Sequence, residues 1–327
     1  MRTCCIALVV LILIAACGSG GNEFEARIAL RYATQDGHTV LLQVAPFNVG
    51  ANRLRITLLG SNEKPVATTA NARVRLSRLE SNGLVEEETT YPVEQGRLET
   101  EVRLDQIGWW QTEVLLGKEE SASFFFRLDP RAKPPLEIAP PDYQSDPKAE
   151  EVYQRALNNH KSLTTLKWRE ELTSGLPGPA GIGVWVVTDA EAQRPDRVHY
   201  HVLSPGSSEY DTYRVGNTSC SQDRGESWQC STGSSSDALN LNYLRSTAVK
   251  LGRQEVVDGE NAQVVLFYNP SQQAWYAWWV GSETGYIRRQ MMVAPGHYML
   301  TEFFDHNAPL VIQIPAEAQG PGVSIPP

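Results

Sequence analysis

The sequence predicts a mainly β protein in two parts, a β-sandwich followed by a curved antiparallel sheet packed over helices. Alternating apolar and polar residues recur through residues 24–128, a proline-rich run follows at 129–145, and a helical pattern with many strands fills residues 146–316. Alternation of period two is typical of a sheet with one buried face, whereas dense proline favours a semi-rigid linker. The chain has 327 residues, 41% of them apolar, which is enough for two domains with their own cores.

The N-terminus has the pattern of an export signal. Arg2 precedes an uninterrupted apolar run that ends at Ala16, which is too short to cross a bilayer permanently. Small residues then precede Cys17, and this pattern resembles a bacterial lipobox. The resemblance implies that residues 1–17 are a lipoprotein signal peptide and that the Cys17 thiol receives a diacylglycerol.

The alternative is an ordinary secretory signal that is cut near Gly18. In either case residues 18–23 are predicted to be a flexible tether, because glycine and serine leave the chain nearly free to swing. The lipoprotein interpretation locates the protein in the cell envelope, lipid-anchored on the extracytoplasmic side of the membrane. No other segment of the sequence is apolar enough to span a membrane.

Charge and cysteine usage narrow the class of protein. The chain has 29 basic and 38 acidic side chains, which argues against nucleic acid or an anionic membrane surface as the main electrostatic partner. Once the signal is removed and Cys17 is lipidated, Cys220 and Cys230 remain. An even pair in an exported chain predicts one disulfide. Two free thiols or a metal site are the alternatives, although no second cysteine pair supports a metal site.

Residues 24–128 are predicted to form a sandwich of about seven strands. Alternation is clear at 53–58, 72–76 and 98–104, and each of these segments has one apolar and one polar face. Turn-forming residues, with glycine among them, separate the alternating segments at short intervals. Nothing in this region has a convincing helical period.

Three features of this region resemble the YtkA-like (CopC/CopD-associated) domain, which is an immunoglobulin-like module. They are residues 46–52 before an alternating strand, Trp109 after a glycine, and the phenylalanine strand at 124–126. The resemblance implies an Ig-like β-sandwich. Copper chemistry does not follow from it, because the region contains one histidine, His38, and no methionine to supply the soft ligands that copper prefers.

The second part opens with the clearest element of the sequence, an amphipathic helix of about four turns. Asp146 can cap this helix with Pro147 at its first position, and apolar residues such as Tyr153 recur on one face. A second short helix is predicted between Asp237 and Val249. A long sheet and two helices bury each other most economically when the sheet curves around the helices. Strands are predicted at 165–172, 182–188, 197–203, 210–215, 263–268, 274–280, 286–293 and 298–304.

Residues 146–316 resemble the LolA-like half-barrel family, which includes the carriers LolA and LolB and mycobacterial lipoproteins of the LppX and LprG type. The resemblance rests on residues 195–197 opening a strand, on 225–228 in a hairpin, and on closing aromatic strands that end at 312–315. It implies a cavity for acyl chains. Because a sandwich precedes it here, the implication extends to the ligand class and not to a sorting pathway. Residues 317–327 are predicted to be a C-terminal tail.

The candidate cavity residues are apolar positions on the inward face of the predicted strands, and plain core packing is the alternative for each of them. The aromatic run at 275–279 exceeds the 9% aromatic content of the whole chain. Large rings on both faces of one strand indicate a wide pocket or a docking surface. The candidates are Trp168, Val184, Val186, Tyr200, Leu266, Tyr276, Trp278, Met291 and Phe303.

Metal and catalytic patterns are weak. His199 and His201 share a strand face, but no carboxylate neighbour is visible in the sequence, so we interpret this face as solvated. Thioether and imidazole groups, which Cu(I) favours, gather near the C-terminus. No nucleophile elbow or zinc-protease motif is present, so no enzyme is predicted. The copper candidates are Met291, Met292, His297, Met299 and His306.

These observations predict a membrane-anchored lipoprotein that binds a lipid or another hydrophobic ligand in a half-barrel cavity, without a cofactor. One alternative is a non-enzymatic envelope module that docks on a protein partner, with the half-barrel filled by its own side chains. The other alternative is a copper-handling lipoprotein.

Overall fold

The described part of the chain is mainly β, in agreement with the predicted class. Over the described residues it forms twenty strands and one α-helix. The predicted signal peptide with Cys17, the tether, the cavity candidate Val184 and part of the proline run lie outside the described residues. The computed structural model describes residues 24, 26–34, 38–60, 62–66, 72–94, 96–116, 121–129, 138–174, 185–204, 208–241 and 245–318.

The elements are numbered in chain order. The N-terminal strands are β1 Ile28–Ala33, β2 Thr39–Ala45, β3 Gly50–Leu59, β4 Arg73–Arg78, β5 Leu84–Thr89, β6 Tyr91–Glu94, β7 Arg97–Leu104, β8 Gly108–Leu115 and β9 Ser121–Leu128. The helix is α1 Pro147–Ser162. The strands after it are β10 Thr165–Thr173, β11 Trp185–Gln193, β12 Arg197–Ser204, β13 Ser208–Val215, β14 Thr218–Asp223, β15 Gln229–Thr232, β16 Thr247–Val257, β17 Glu260–Asn269, β18 Ala274–Gly281, β19 Ile287–Ala294 and β20 His297–Phe304.

The N-terminal strands form two antiparallel sheets, which we call the N-terminal sheets. Within the described residues one has the order β1-β2-β3-β7-β6 and the other β5-β4-β8-β9. Apolar side chains from both, among them Leu42 and Trp110, belong to one buried cluster. The prediction of about seven strands was too low, because β5 and β6 consist mostly of exposed residues without a marked apolar face.

The strands after the helix form one antiparallel sheet, which we call the long sheet. Its eleven strands within the described ranges have the order β15-β14-β13-β12-β11-β10-β20-β19-β18-β17-β16. Strand β10 pairs with both β11 and β20, so the first and last strands of this part are neighbours. Each of the eight predicted strands overlaps an observed one. The remaining strands, β14, β15 and β16, were missed because their residues are mixed and largely polar.

Helix α1 begins as the sequence predicts and packs on one face of the long sheet, which we call the helix face. The Asp146 side chain accepts a hydrogen bond of 2.8 Å from the Lys148 amide, and Pro147 is the first helical residue. The Tyr153 ring stacks on Trp278 with centroids 5.0 Å apart. None of the helices in the described ranges combines the length and apolar character that crossing a membrane requires.

The second predicted helix is wrong for the residues that the structure describes between Asp237 and Val249. This segment is irregular until β16 begins at Thr247, and residues 242–244 lie outside the described ranges. The Asp237 carboxylate accepts a hydrogen bond of 3.0 Å from the Leu239 amide, which stabilises a turn in place of a helix. Leu239 is nevertheless buried, so the apolar spacing reflects side chains that fill the core.

The opposite face of the long sheet packs against the N-terminal sheets. Trp279 of β18 meets Phe125 of β9 edge to face, with ring centroids 4.9 Å apart. The Arg253 guanidinium donates hydrogen bonds of 2.7 Å to the Ser77 hydroxyl and 3.2 Å to the Arg78 carbonyl. One buried cluster contains residues of all three sheets. The two predicted parts therefore share one core, and the second part has a further core between α1 and the long sheet.

The described end of the proline run lies against the long sheet. The Trp275 indole N–H donates a 3.0 Å hydrogen bond to the Ala139 carbonyl. The Lys250 ammonium lies 3.3 Å from the centre of the Tyr143 ring. These contacts hold residues 138–146 on the surface that the N-terminal sheets also cover, so the described end of the predicted semi-rigid linker is packed against the long sheet.

A disulfide joins the last two strands at one edge of the long sheet. The Cys220 and Cys230 sulfur atoms are 2.06 Å apart, and the two residues are directly opposite each other in β14 and β15. Cys220 is buried with Ile312 and Ile314, so the bond also holds the C-terminal segment against this edge.

Reduction of this disulfide is expected to lower the free energy of unfolding by about 2–3 kcal/mol, because closing the ten-residue separation restricts the unfolded chain. Denaturant unfolding with and without a reductant measures the difference. The double variant Cys220→Ser/Cys230→Ser is the control, since its stability should not respond to the reductant. Equal stability of the wild-type protein in both conditions would contradict the expectation.

Candidate ligand pocket on the helix face

An open pocket of about 400 Å³ lies on the helix face, beyond the strands that α1 covers. The helix occupies the side of this face formed by β16, β17 and β18, where Tyr153 contacts Phe267 and Trp278. The pocket lies instead over β10, β11, β12 and β13. It is lined by Trp168, Glu170, Thr188, Tyr200, Val202, Tyr210 and Thr212.

One row of directly paired residues crosses the helix face from the helix to the pocket. Cross-strand partners in an antiparallel sheet point to the same side, so the pairing fixes the order of side chains along this row. The row begins in the closed core, where the Trp278 indole donates a 2.7 Å hydrogen bond to the buried Gln290 side chain. It then passes into the pocket. Its order is Trp278, Gln290, Thr301, Glu170, Thr188, Val202, Tyr210 and Asp223.

A second row provides the aromatic wall of the pocket. Trp168, Ala190 and Tyr200 are directly paired across β10, β11 and β12. The Trp168 and Tyr200 rings meet edge to face above the small Ala190 side chain, with centroids 6.1 Å apart. Both rings are half-buried, so each keeps part of its surface open to a ligand. Such rings provide a large apolar surface at low entropic cost.

Glu170 is the charged group on the pocket wall. Among the described residues it has no hydrogen-bond or ion-pair partner, although it lies next to the buried Thr301 hydroxyl, which also lacks one there. Burial alone raises the pKa of Glu170 from 4.5 to about 6. The carboxyl group is therefore mostly ionised at neutral pH but loses its charge in mild acid.

Two other carboxylates with limited exposure are held by arginine. Glu99 accepts from Arg55 at 2.6 Å, and Glu260 accepts from Arg288 at the same distance. Burying a carboxylate without such a partner costs free energy. Glu170 is thus a position where the fold tolerates an unfavourable group, which is typical of a site that serves a ligand.

The hydroxyl groups of the pocket are placed among its apolar surfaces. Thr212 exchanges a hydrogen bond of 3.0 Å with Ser221 on the next strand. Burial raises the pKa of Tyr200 above its usual value, so this phenol stays protonated and can donate a hydrogen bond. The pocket therefore combines two rings, one carboxyl group and several hydroxyl groups.

The predicted cavity residues fall into three groups. Trp168 and Tyr200 line the pocket, and Val186 is half-buried on the same face near it. A second group, Tyr276, Trp278 and Phe303, is on the helix face but is packed into the core with α1. Leu266 and Met291 point to the other face and pack with the N-terminal sheets, so alternation placed them on the wrong side.

The aromatic strand β18 is therefore no part of the pocket. All eight of its residues are buried, because α1 covers one face and the N-terminal sheets cover the other. A strand that is covered on both faces is apolar without interruption. The same pattern led to the prediction of a wide pocket at this strand.

The copper candidates are spread over both faces and both ends of the β19–β20 pair. Met291 lies against the N-terminal sheets, whereas Met292 and Met299 are cross-strand neighbours on the helix face. His297 is exposed at the start of β20. His306 follows the other end of that strand, where its ring stacks on Tyr286 at 4.8 Å. The structure does not bring the five residues together.

His199 and His201 do have a carboxylate neighbour, contrary to the interpretation from sequence. Oδ1 of Asp211, on the adjacent strand β13, is 2.9 Å from His199 Nε2 and 3.2 Å from His201 Nδ1. The pairing of β12 with β13 brings these side chains to one face, which the separate sequence segments did not reveal. Across the described residues no group of three or more His, Cys, Asp or Glu side chains is arranged to hold a metal ion.

Glu170 was missed by the sequence analysis, although a signal for it exists. In β10 the residues that face the helix side alternate as Leu166, Trp168, Glu170 and Leu172. A glutamate at an apolar position of a half-buried strand breaks the pattern. Such a break often marks a functional position, and it could have been read from residues 165–173.

Comparisons with known proteins leave the family of this chain unassigned. No protein-family model and no curated protein matches it. The Mycobacterium tuberculosis lipoprotein LppX aligns over 52% of this chain and 100% of its own, at 14% identity and a TM-score of 0.41. LprF from Mycobacterium bovis aligns over 53% of this chain and 100% of its own, at 12% identity and 0.41. A LolA superfamily protein of Nitrosomonas europaea aligns over 50% of this chain and 94% of its own, at 11% identity and a TM-score of 0.27.

Proposed function

We propose that this protein is a lipid-anchored protein of the cell envelope that binds an apolar or amphipathic ligand in the pocket on the helix face. The observation that carries the proposal is the open space of about 400 Å³ with an aromatic wall on the part of the helix face that α1 leaves uncovered. Pockets of roughly 300–1,000 Å³ with aromatic walls and a few polar groups are typical of small-molecule sites. A ligand that buries ten CH₂ groups there gains about 8 kcal/mol before ordering costs.

The anchor and the domain assignments belong to the same proposal. Cys17 would carry the lipid, so the protein would act on the extracytoplasmic side of the membrane. The N-terminal sheets would be a YtkA-like, Ig-like module at residues 24–128, and the long sheet with α1 a LolA-like half-barrel at 146–316. Their shared core fixes the pocket relative to the N-terminal sheets. The role is binding and not catalysis.

Two larger hollows support the proposal less well. One of about 580 Å³ lies near the end of α1, and another of about 550 Å³ lies near the β13–β14 turn. In the first, Arg194 is paired with Asp237 at 3.0 Å, and in the second, Arg224 is paired with Glu209 at 2.7 Å. Neither hollow has an aromatic side chain in its lining.

Thr188→Trp is expected to weaken binding of an apolar probe at least tenfold, or about 1.4 kcal/mol. Thr188 lines the pocket at its centre, so a larger ring fills the space. The matched control is Asp189→Trp, which introduces the same ring at the adjacent, exposed position on the opposite face. Residues 18–327 purified without detergent would be titrated with N-phenyl-1-naphthylamine, a neutral fluorescent probe. Circular dichroism would verify that both variants fold.

Equal affinity of the wild-type protein and the Thr188→Trp variant would contradict binding in this pocket. Native mass spectrometry of the same material gives an independent measurement, because a protein that carries a ligand from the cell is heavier than its sequence mass. An empty protein that takes up no probe would favour the rival function, an envelope module that docks on a protein partner.

A further inference from the structure

We infer that the pocket selects ligands with a positively charged polar end, such as an alkyl chain that carries a quaternary ammonium group. The Glu170 carboxylate would neutralise the charge, and the Trp168 and Tyr200 rings would contact the methyl groups around it. The inference rests on the proposed function and names its ligand class.

The charge of the pocket favours a cation. Its lining contains one acidic side chain, Glu170, and no lysine or arginine. The row of paired residues that includes Glu170 continues beyond Tyr210 to Asp223, which is also acidic. The whole chain has a formal net charge of −9. An anionic head group such as a carboxylate or phosphate would meet the charge of Glu170, and no base in the lining would compensate it, since the nearest base, Arg214, lies behind Tyr200 outside the lining.

The Glu170 carboxylate has no positively charged partner among the described residues, which indicates the charge that a ligand would supply. The carboxylates of Glu99 and Glu260, which are also of limited exposure, are each matched by a guanidinium, from Arg55 and Arg288. Within the same ranges no side chain does this for Glu170. A ligand cation would supply the missing charge, and its binding would recover the free energy that burial of the carboxylate costs.

The aromatic wall favours a quaternary ammonium group over other cations. Cations are attracted to the faces of Trp and Tyr rings, and such rings recognise quaternary ammonium ligands. The protein already uses this contact, since the Arg127 guanidinium lies 4.1 Å from the centre of the Trp275 ring. Among the described residues no lysine or arginine lies over the Trp168 or Tyr200 ring, so the faces of these rings are open to a ligand cation.

Few other titratable groups face Glu170. From β12 and β13 these are Tyr200 and Tyr210. The residues paired with Glu170 on the two adjacent strands, Thr188 of β11 and Thr301 of β20, do not titrate. Arg214 lies close enough to Tyr200 to oppose the rise of its pKa, although burial outweighs it. The nearest titratable group of α1 is His160, which packs on Phe303 beside Trp168 and has its pKa lowered to about 4. Glu170 is thus the pocket group that titrates near pH 6.

The test compares three ligands with the same ten-carbon chain and different heads, decyltrimethylammonium, decyldimethylamine oxide and decyl sulfate. Each would displace N-phenyl-1-naphthylamine from residues 18–327 at pH 7.5, below its micelle concentration. We expect decyltrimethylammonium to bind at least tenfold more tightly than the similarly sized neutral amine oxide, and decyl sulfate to bind most weakly. Glu170→Gln should remove this preference and leave amine oxide binding intact.

Glu191→Gln is the matched control. It makes the same change in charge on the opposite face of β11, where Glu191 pairs with Lys167 at 3.1 Å. This variant should keep the preference for the cation. Equal binding of all three ligands, or a preference that survives in Glu170→Gln, would overturn the inference while leaving the apolar-ligand pocket in place. Failure of all three to bind the wild-type protein would overturn the proposed function itself.

A pH series with decyltrimethylammonium gives a second measurement that needs no variant. The charge of this ligand is fixed, and the pKa of Glu170 is about 6 in the free protein. Affinity should therefore fall about tenfold between pH 7.5 and pH 5, as the carboxylate becomes protonated. An affinity that stays constant over this range would contradict a role for Glu170.

Discussion

Trp279→Ala is expected to lower the free energy of unfolding by about 3–5 kcal/mol, the largest effect of any change considered for this protein. Trp279 is fully buried between the long sheet and the N-terminal sheets. Its ring meets Phe125 at a centroid distance of 4.9 Å, and its indole N–H donates to Glu255. The truncation opens a cavity and leaves that carboxylate without its aromatic donor.

The measurement is denaturant unfolding followed by both tryptophan fluorescence and circular dichroism. Val256→Ala is a control in the edge strand β16, where the side chain is 66% exposed and its loss should cost little. Because the buried cluster spans all three sheets, both probes should report one transition. Two separate transitions, with only the later one shifted by Trp279→Ala, would show that the sheets unfold as independent units.

A double variant sharpens this test of the shared core. Phe125 lies in β9 and Trp279 in β18, so they meet only if the N-terminal sheets and the long sheet pack as described. Removing both rings should cost clearly less than the sum of the single changes, because the second truncation enlarges an existing cavity. Strict additivity would mean that the two rings do not touch in solution.

Acid is expected to destabilise the protein through His160, by about 3 kcal/mol between pH 6.5 and pH 4. This histidine at the end of α1 is 5% exposed, and its ring meets Phe303 at 6.3 Å. Burial lowers its pKa from 6.5 to about 4, and the nearby positive charge of Arg194 contributes in the same direction.

The loss of stability in acid follows from the lowered pKa of His160. Above pH 6.5 His160 is neutral in both the folded and the unfolded chain, so its contribution is complete there. As the pH falls towards 4, the unfolded chain binds a proton before the folded protein does, and stability is lost. His160→Gln should flatten the curve of unfolding free energy against pH in this window. Parallel curves for the variant and the wild-type protein would contradict the role of His160.

The contribution of Glu170 to stability changes with pH in the opposite direction to that of His160, so the two residues can be compared in the same protein. Its pKa is raised in the folded protein, so its contribution is complete below pH 4.5 and is lost as the pH rises through about 6. Glu170→Gln is therefore expected to stabilise the empty protein at pH 7.5. A gain in stability together with a loss of ligand selectivity is the usual signature of a functional position in a binding site.

The sequence predicts strands best where one face is solvated and the other is buried. For that reason alternation locates β3, β4 and β7, and the cap and apolar stripe locate α1. Strands at or near the sheet edge, such as β14 and β15, were missed, because they bury little and their polar residues have no period.

Which surface covers an apolar side chain could not be predicted. Tyr276 and Trp279 look alike in the sequence, yet one packs with α1 and the other packs with the N-terminal sheets. Burial against the chain itself or against a ligand removes the same area from water, so the pattern is identical in either case. Glu170 is more informative, since a carboxyl group at an apolar position needs a reason that packing does not provide.

The position of β10 also affects how the chain can fold. This strand lies inside the long sheet, paired on one side with β11 and on the other with β20. Its second partner is far away in sequence, since Lys167 pairs with Phe304. While the chain emerges from a ribosome or translocation pore, β10 therefore presents an open hydrogen-bonding edge until the last strand arrives. Such a topology folds slowly, so nascent chains of this protein are candidates for protection by a chaperone.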